Sequence, residues 1–250
     1  MHYHWNFSFL WRYQHLFWLG AGVTLAFTIG TVVLGLLLGL AIGVARLSHS
    51  KLLNAPVIAF TELFRCTPLL VQLIWIYYAL PVLLHISLSA IAAAVLTLSC
   101  YGGVFYAEIF RGGIISIERG QWDAARALGL SRWKMMRLVI LPQAVRRMIP
   151  PFMNQSITQL KNTSLVSVIA VPDVLYQGEL VTGATYRPLE VYTAVAVIYF
   201  ILLFPSTMLM RAYERHTAGK AGGAITAPLA ARVSALSRLR ALVSRFASLP

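Results

Sequence analysis

The 250-residue chain is 58% hydrophobic and only 12% charged. About a quarter of residues are charged in an ordinary soluble domain, so this composition excludes a soluble protein and indicates one membrane-embedded bundle. The net charge of +13 would suit nucleic acid, but most lysines and arginines cluster at 46–51, 111–147 and 211–245. Clustering in alternate loops is the positive-inside pattern of membrane topology, so no nucleic-acid partner is expected.

Five apolar segments are predicted to cross the membrane, at about 16–45, 56–82, 87–110, 142–171 and 189–210, with Pro56 starting the second. The first lies within a stretch from Arg12 to Arg46 that has no charged residue, longer than the ~20 residues needed to span a bilayer. The aromatic, charge-poor N-terminus is predicted outside and the C-terminus in the cytoplasm.

These spans define a transmembrane domain at 1–216. The basic tail at 217–250 fits either an amphipathic helix on the inner leaflet or a disordered segment. Cys66 and Cys100 lie in apolar runs, which favours packing thiols over a disulfide or a metal site.

Glycines recur every fourth residue in the first span, at Gly35, Gly39 and Gly43. Such small-residue faces let another helix backbone approach closely. The partner helix can belong to the same bundle or to another subunit, and the sequence leaves both open.

The fourth span carries unusual polarity. Asn154, Thr158 and Lys161 follow helical spacing and share a face, with Gln155 and Asn162 beside it. A lysine in hydrocarbon costs about 3 kcal/mol on insertion scales, so Lys161 should face the bundle interior or a wet cavity. Its ammonium group can either receive a substrate carboxylate or pair with Glu108 or another buried acid.

A polar interruption at 119–138 reads as two short helices. Asp123 and the following alanines favour the first helix, Gly129 can end it in a left-handed conformation, and Ser131 can cap the second. Because Ala124 and Ala125 leave one side of the first helix without bulk, that helix can lie in a groove of another protein.

Four motifs occur in a specific order, and together they resemble the permease subunits of polar amino-acid ABC importers, the histidine/glutamine/glutamate type. The likeness runs from about Leu16 to Arg215, with Asp123 where Glu is usual and Cys66 where a small residue or Asn is usual. The motifs are Phe64-Arg65-Cys66-Thr67-Pro68, Ala107-Glu108-Ile109-Phe110-Arg111-Gly112-Gly113, Asp123-Ala124-Ala125 with Gly129 and Ile140-Leu141-Pro142, and Leu160-Lys161-Asn162-Thr163-Ser164-Leu165.

The resemblance implies a five-span type I ABC importer fold in a bacterial inner membrane and a non-enzymatic permease subunit. The implied partners are ABC ATPase subunits, an extracytoplasmic amino-acid-binding protein, a second permease subunit, identical or related, and membrane lipid. The chain has no Gly-x-x-x-x-Gly-Lys-Ser/Thr phosphate loop, so ATP and Mg are expected on the ATPase and no cofactor on this chain.

The motifs and the polar face predict two groups of site residues, one for substrate binding and one for coupling to the ATPase.

In the substrate-binding group, Asn162 replaces an Asp that relatives often have, which favours a neutral or acidic amino acid as the substrate. An ATP-independent secondary transporter or a small ion channel is the alternative, although five spans do not divide into paired inverted repeats. The ATPase-coupling residues are Gln121, Trp122, Asp123, Ala124, Ala125 and Gly129, and the substrate-binding residues are Lys161, Asn162, Gln155, Asn154, Thr158 and Thr67.

Overall fold

The structure, a computed structural model, describes residues 3–46 and 51–215, and those ranges are helical apart from short connections. The residues up to Ser206 form one compact unit, to which the description below applies. The predicted tail, 217–250, lies outside the described residues. The helices are α1 Leu10–Ala45, α2 Lys51–Cys66, α3 Leu69–Leu84, α4 Ala90–Ile115, α5 Arg119–Ala127, α6 Arg132–Met135, α7 Leu141–Asn162, α8 Val174–Thr185 and α9 Pro188–Arg215.

Membrane-spanning helices dominate the fold. Among the described residues, α1, α4 and α9 are each long and apolar enough to cross a membrane. Counting each of two bent helix pairs as one span raises the number to five. This confirms the predicted all-helical membrane fold.

The most extensive helix–helix contact among the described residues joins α1 and α4, and glycines allow the two backbones to approach closely. A Cβ atom on Gly39 would lie 2.7 Å from Cβ of Tyr106 and 2.8 Å from the carbonyl oxygen of Gly103. One on Gly35 would meet Gly103 and Tyr106 at 3.2 to 3.3 Å. Of the two possibilities left open by the sequence, contact within the bundle is therefore confirmed for Gly35 and Gly39.

The second predicted span, 56–82, is not one straight helix. Its first part is α2, which begins at Lys51 and contains Pro56. The chain then bends by 113° between α2 and α3. Pro68 causes the break, because it is extended (ψ 136°) and a residue before proline avoids the helical region. The Nε2 atom of Gln72 holds the corner by donating to the carbonyl oxygens of Phe64 and Thr67, each at 3.0 Å.

The fourth predicted span, 142–171, belongs to a longer helical rod that runs from Arg132 to Ile169. A π-helical turn, Met136–Ile140, joins α6 to α7, and a 3-10 helix, Thr163–Ile169, continues from α7. Pro142 has no N–H group for the preceding turn, and the wider π geometry accommodates its ring. The rod therefore starts in the polar interruption and continues into the bundle.

At one end of the bundle, the N-terminal segment is tied to the start of α9. Glu190 is buried, and its carboxylate accepts hydrogen bonds from the Tyr3 hydroxyl, from the Asn6 amide at 3.2 Å and from Arg187 at 2.9 Å. The hydrogen bond to Glu190 raises the pKa of Tyr3, because the ionised phenol could no longer donate that bond. The N-terminus and residues 187–190 thus lie on the same side of the bundle.

Candidate functional site

The polar interruption has the predicted helix–glycine–helix form. Gly129 has a φ of +68°, and the amide of Leu130 donates to the carbonyl oxygen of Ala125 at 3.2 Å across it. This bond satisfies a carbonyl group at the end of α5. Ser131 then caps α6, because its Oγ accepts from the amide of Lys134 at 3.4 Å. Both local predictions, the left-handed glycine and the serine cap, are confirmed.

One face of α5 is buried in the chain's own core. Ala125 is only 2% exposed and packs in a cluster with Ile117, Met135, Ile140 and Met148. The expectation that Ala124 and Ala125 together offer a surface to another protein is therefore wrong for Ala125. Its small side chain lets α5 lie close to the rod.

The opposite face of α5 is open to a partner. Gln121, Asp123, Ala124 and Gly129 are exposed, whereas Trp122 is half-buried. Asp123 forms an ion pair with Arg126 at 3.2 Å. The predicted coupling residues that are exposed therefore lie close to Ala124 in the chain.

Sequence reasoning missed two exposed apolar residues next to this face. Leu128 is 79% exposed and Trp133 is 71% exposed, on either side of Gly129. The sequence did contain a signal for them, because both are large apolar residues in a strongly basic segment outside any apolar run. Exposed side chains of this kind commonly mark a protein contact.

The loop is joined directly to the long rod. The Nε2 atom of Gln143, on α7, donates to Oε1 of Gln121 at 3.2 Å and to the carbonyl oxygen of Val139 at 2.8 Å. Arg147, one turn further along, donates to the carbonyl oxygen of Ser116 just before α5. A displacement of α5 would therefore be transmitted to α7 through packing and hydrogen bonds.

The same rod carries the predicted polar face, about 40 Å away at 1.5 Å per residue from Met135 to Lys161. Asn154 and Lys161 are exposed, and Thr158 between them is half-buried, with its Oγ1 donating to the carbonyl oxygen of Asn154 at 3.0 Å. The shared face predicted from spacing is thus present. It points away from the core of its own chain.

Two amides flank this face with unused donors. The side-chain nitrogens of Gln155 and Asn162 are buried, and neither has a hydrogen-bond partner within residues 3–46 and 51–215. Buried donors without a partner are costly, which makes these two amides unusual among the polar groups of the rod.

Lys161 has no ion pair with any residue that the structure describes. Glu108, its candidate partner within the chain, is instead engaged by Arg46 on one oxygen and by Arg111 on the other at 2.7 Å. Pairing of Lys161 with Glu108 is therefore wrong.

Gln159 positions this face and was not singled out by the sequence. It is fully buried, and its Nε2 atom donates to the carbonyl oxygen of Leu98 at 2.8 Å and to the Thr31 hydroxyl at 3.2 Å. These bonds lock α7 against both α4 and α1. The fixed rotation of α7 turns Lys161 outward.

Thr67 is not joined to the α7 residues by any hydrogen bond between described residues. Its hydroxyl donates to the carbonyl oxygen of Leu63 at 2.6 Å and accepts from Gln72 at 2.6 Å. It lines a cavity of about 300 Å³ at the corner between α2 and α3, beside Trp75. A role for Thr67 in substrate binding stays a prediction.

Comparison with known protein families matches residues 31–219 to the family described as the inner membrane component of binding-protein-dependent transport systems. The chain belongs to this family. The match includes the loop and the whole polar face, so both features lie within the family's inner-membrane component. A location in the inner membrane follows from this match and from the apolar helices.

Among individual relatives, the glutamine transport system permease protein GlnP of Escherichia coli K12 is 39% identical over 211 residues, which cover 84% of this chain and 96% of GlnP. The histidine/lysine/arginine/ornithine permease protein HisM of Salmonella typhimurium is 36% identical, with coverage of 83% and 92%. These relatives confirm the resemblance to polar amino-acid permeases.

A solved structure of an amino acid ABC transporter with histidines gives a TM-score of 0.81 at 34% identity and covers 86% of this chain and 100% of its own. The MetNI methionine ABC transporter, in an inward-facing form, gives 0.60 at 22% identity over 80% and 97%. The second likeness shows the fold alone, and both agree with the predicted importer fold.

Proposed function

We propose that this permease forms the transmembrane path of an ATP-driven importer and passes a neutral or acidic amino acid from an extracytoplasmic binding protein to the cytoplasm. One observation carries the proposal: a single helical rod, Arg132–Ile169, links the loop at Gly129 to the exposed Lys161 face. A rod of this kind can convert movement at one end into a rearrangement at the other.

The partner at the loop end is a cytoplasmic ABC ATPase that carries ATP and Mg. Its contact surface would consist of Gln121, Asp123 and Ala124 with the apolar side chains of Leu128 and Trp133. Trp122 and Ala125 would support that surface from beneath, since both pack toward the rod. GlnP and HisM are both named as permease proteins of a transport system, which supports an ATPase on a separate subunit.

The partner at the polar face is a second permease subunit, either a copy of this chain or a related one. Lys161 and Asn154 are exposed when the chain is alone. Exposure of a lysine to lipid costs about 3 kcal/mol, so a second subunit and a wet path between the two would shield it.

The substrate class is inferred from charge. Lys161 would receive the α-carboxylate that every amino acid has, and the amides of Gln155 and Asn162 would hydrogen-bond the rest of the molecule. No acid lies among the predicted face residues, so a cationic side chain finds no counter-charge there. The relative named for glutamine is 39% identical to this chain, and the relative named for histidine, lysine, arginine and ornithine is 36% identical. Sequence identity therefore does not distinguish these substrates, and the proposed substrate class rests on the polar face.

Orientation follows from the basic loops and the grouping of ends. Arg46, Glu108 and Arg111 lie together at one side, and the N-terminus lies with Glu190 at the other. Together with the positive-inside pattern, this grouping supports an N-terminus outside the cell. Cysteine labelling measures this orientation. Single cysteines are introduced at Ser8 or Leu128 in a chain that lacks Cys66 and Cys100, and intact cells are treated with a membrane-impermeant maleimide. Ser8→Cys should react from outside, and Leu128→Cys should not.

The substrate role of Lys161 is tested in the complex of permease, ATPase and binding protein, by measuring the amino-acid concentration that half-maximally stimulates ATP hydrolysis. Lys161→Ala should raise that concentration at least tenfold, because a charged contact to the carboxylate is lost, and Lys161→Arg should raise it less. Arg12→Ala, which removes an exposed cation elsewhere, should change nothing. An unchanged requirement in Lys161→Ala, or loss of complex assembly in that variant, would contradict the role.

A further inference from the structure

A largely apolar cavity with a basic end lies at the other side of the bundle from Glu190. It has a volume of about 330 Å³ and sits between α1, α2 and α4, close to the end of α1. Its polar lining includes Arg46 and Arg111, and its apolar lining includes Val44, Ile58 and Ile115. The cavity thus joins a basic end to an apolar wall.

The basic end carries uncompensated positive charge. Arg46 and Arg111 share the one carboxylate of Glu108, so the three groups together have a net charge of +1. Arg111 uses only Nε, at 3.0 Å, and Nη2, at 2.7 Å, for that carboxylate. Its Nη1 donates no hydrogen bond to any acceptor in the described part of the chain, and its side chain is half-exposed. A second anion can therefore bind beside Glu108.

The apolar wall indicates what kind of anion. Val44, Ile58 and Ile115 are all exposed. Val44 and Ile115 lie at the ends of α1 and α4, which are apolar enough to span the bilayer, and Ile58 lies in the middle of α2. A free phosphate would leave these side chains uncovered. A lipid can satisfy both parts of the cavity, because its phosphate reaches the guanidinium groups while an acyl chain covers the wall.

We propose that this cavity binds an anionic phospholipid, with the headgroup phosphate at Arg111 and Arg46 and one acyl chain along Val44, Ile58 and Ile115. Glu108 then acts as the positioning residue that holds the two guanidinium groups side by side. The site depends on the membrane location of the chain and not on the proposed transport function.

The proposal is tested by measuring the dissociation constant of a fluorescent phosphatidylglycerol with the purified full-length chain in detergent. Arg111→Gln removes the phosphate contact, and Ile58→Trp fills the apolar part while keeping the ion pairs. Each should weaken phosphatidylglycerol binding at least tenfold, whereas Arg111→Lys should weaken it less. Phosphatidylethanolamine with the same acyl chains should compete poorly, and so should inorganic phosphate.

The matched control is Arg126→Gln. Arg126 is an exposed arginine paired with an acid three residues away, as Arg111 is, but it lies outside the cavity. It should bind phosphatidylglycerol within twofold of the unmodified chain. If Arg111→Gln fails to fold, Ile58→Trp decides the question. Wild-type affinity in Ile58→Trp, equal competition by phosphatidylethanolamine, or full displacement by inorganic phosphate would each overturn the proposal.

Discussion

At the scale of single residues, Gln159 shows how one buried amide sets the direction of a whole helix face. Its two bonds, to Leu98 and Thr31, cross from α7 to α4 and α1 in a region with few other polar links. Interhelical hydrogen bonds within membranes contribute about 0.6 to 2 kcal/mol. The orientation of Lys161 therefore depends on a residue two positions earlier on the opposite face.

Gln159→Leu keeps the volume and removes both bonds, so we expect a lower melting temperature of the purified chain in detergent, equivalent to about 1–2 kcal/mol. The half-saturating amino-acid concentration of the assembled transporter should also rise, because the polar face can rotate. Gln14→Leu, at an exposed position on α1, serves as the control and should leave both quantities unchanged. Equal melting of the Gln159 and Gln14 variants would contradict the positioning role.

At the scale of helices, the contact between α1 and α4 depends on the missing side chain of Gly39. Gly39→Ala would place a Cβ atom within 3 Å of backbone and Cβ atoms of α4, so the helices must separate and the chain should be destabilised by about 1–3 kcal/mol. Gly30→Ala, on the same helix with no atom within 4 Å, should be neutral or stabilising by up to about 1 kcal/mol. Thermal melting of the two variants side by side measures the difference, and similar melting would show that the close approach is unimportant.

The two alanines of the loop helix should respond differently to the same substitution. Ala125→Leu overpacks the core cluster under α5, so it should lower the stability of the isolated chain by about 1–3 kcal/mol. Ala124→Leu adds bulk on the exposed face, so the isolated chain should melt normally while its affinity for the ATPase subunit falls. Melting in detergent and pull-down of the ATPase separate the two effects. Normal ATPase binding by Ala124→Leu would exclude that face from the contact.

Local signals in the sequence were sufficient for the loop and for the polar face. Gly129, Ser131 and the helical spacing of Asn154, Thr158 and Lys161 act within one turn or two, and the structure has each feature where it was expected. The side of α5 that meets the bundle could not be predicted, because alanine fits both a buried and an exposed face.

Long apolar segments were predicted with less geometric detail. Hydropathy measures whether a stretch is long enough to cross a membrane, and it does not report a 113° corner at Pro68 or a rod that starts at Arg132. Both features depend on backbone breaks and tertiary contacts: Gln72 holds the corner, and Ala125 and Gln143 hold the loop to the rod.

At the scale of the whole molecule, the main feature is a helical rod, Arg132–Ile169, that runs from the loop into the bundle. The loop carries a cluster of basic residues and the Gly129 turn, and the rod extends from there to the Lys161 face. We propose that force enters at the loop and substrate crosses at the face. The proposed coupling depends on the conformation of the loop.

Uptake of labelled glutamine into proteoliposomes that contain the permease, its ATPase and its binding protein tests this coupling most directly. Gly129→Val is the decisive variant: no atom lies within 4 Å of the position, but a β-branched residue resists a φ of +68°. We expect uptake that requires ATP on the ATPase side, and loss of uptake in Gly129→Val with normal membrane insertion. Uptake driven by a proton gradient without ATP, or wild-type uptake by Gly129→Val, would contradict the proposed coupling.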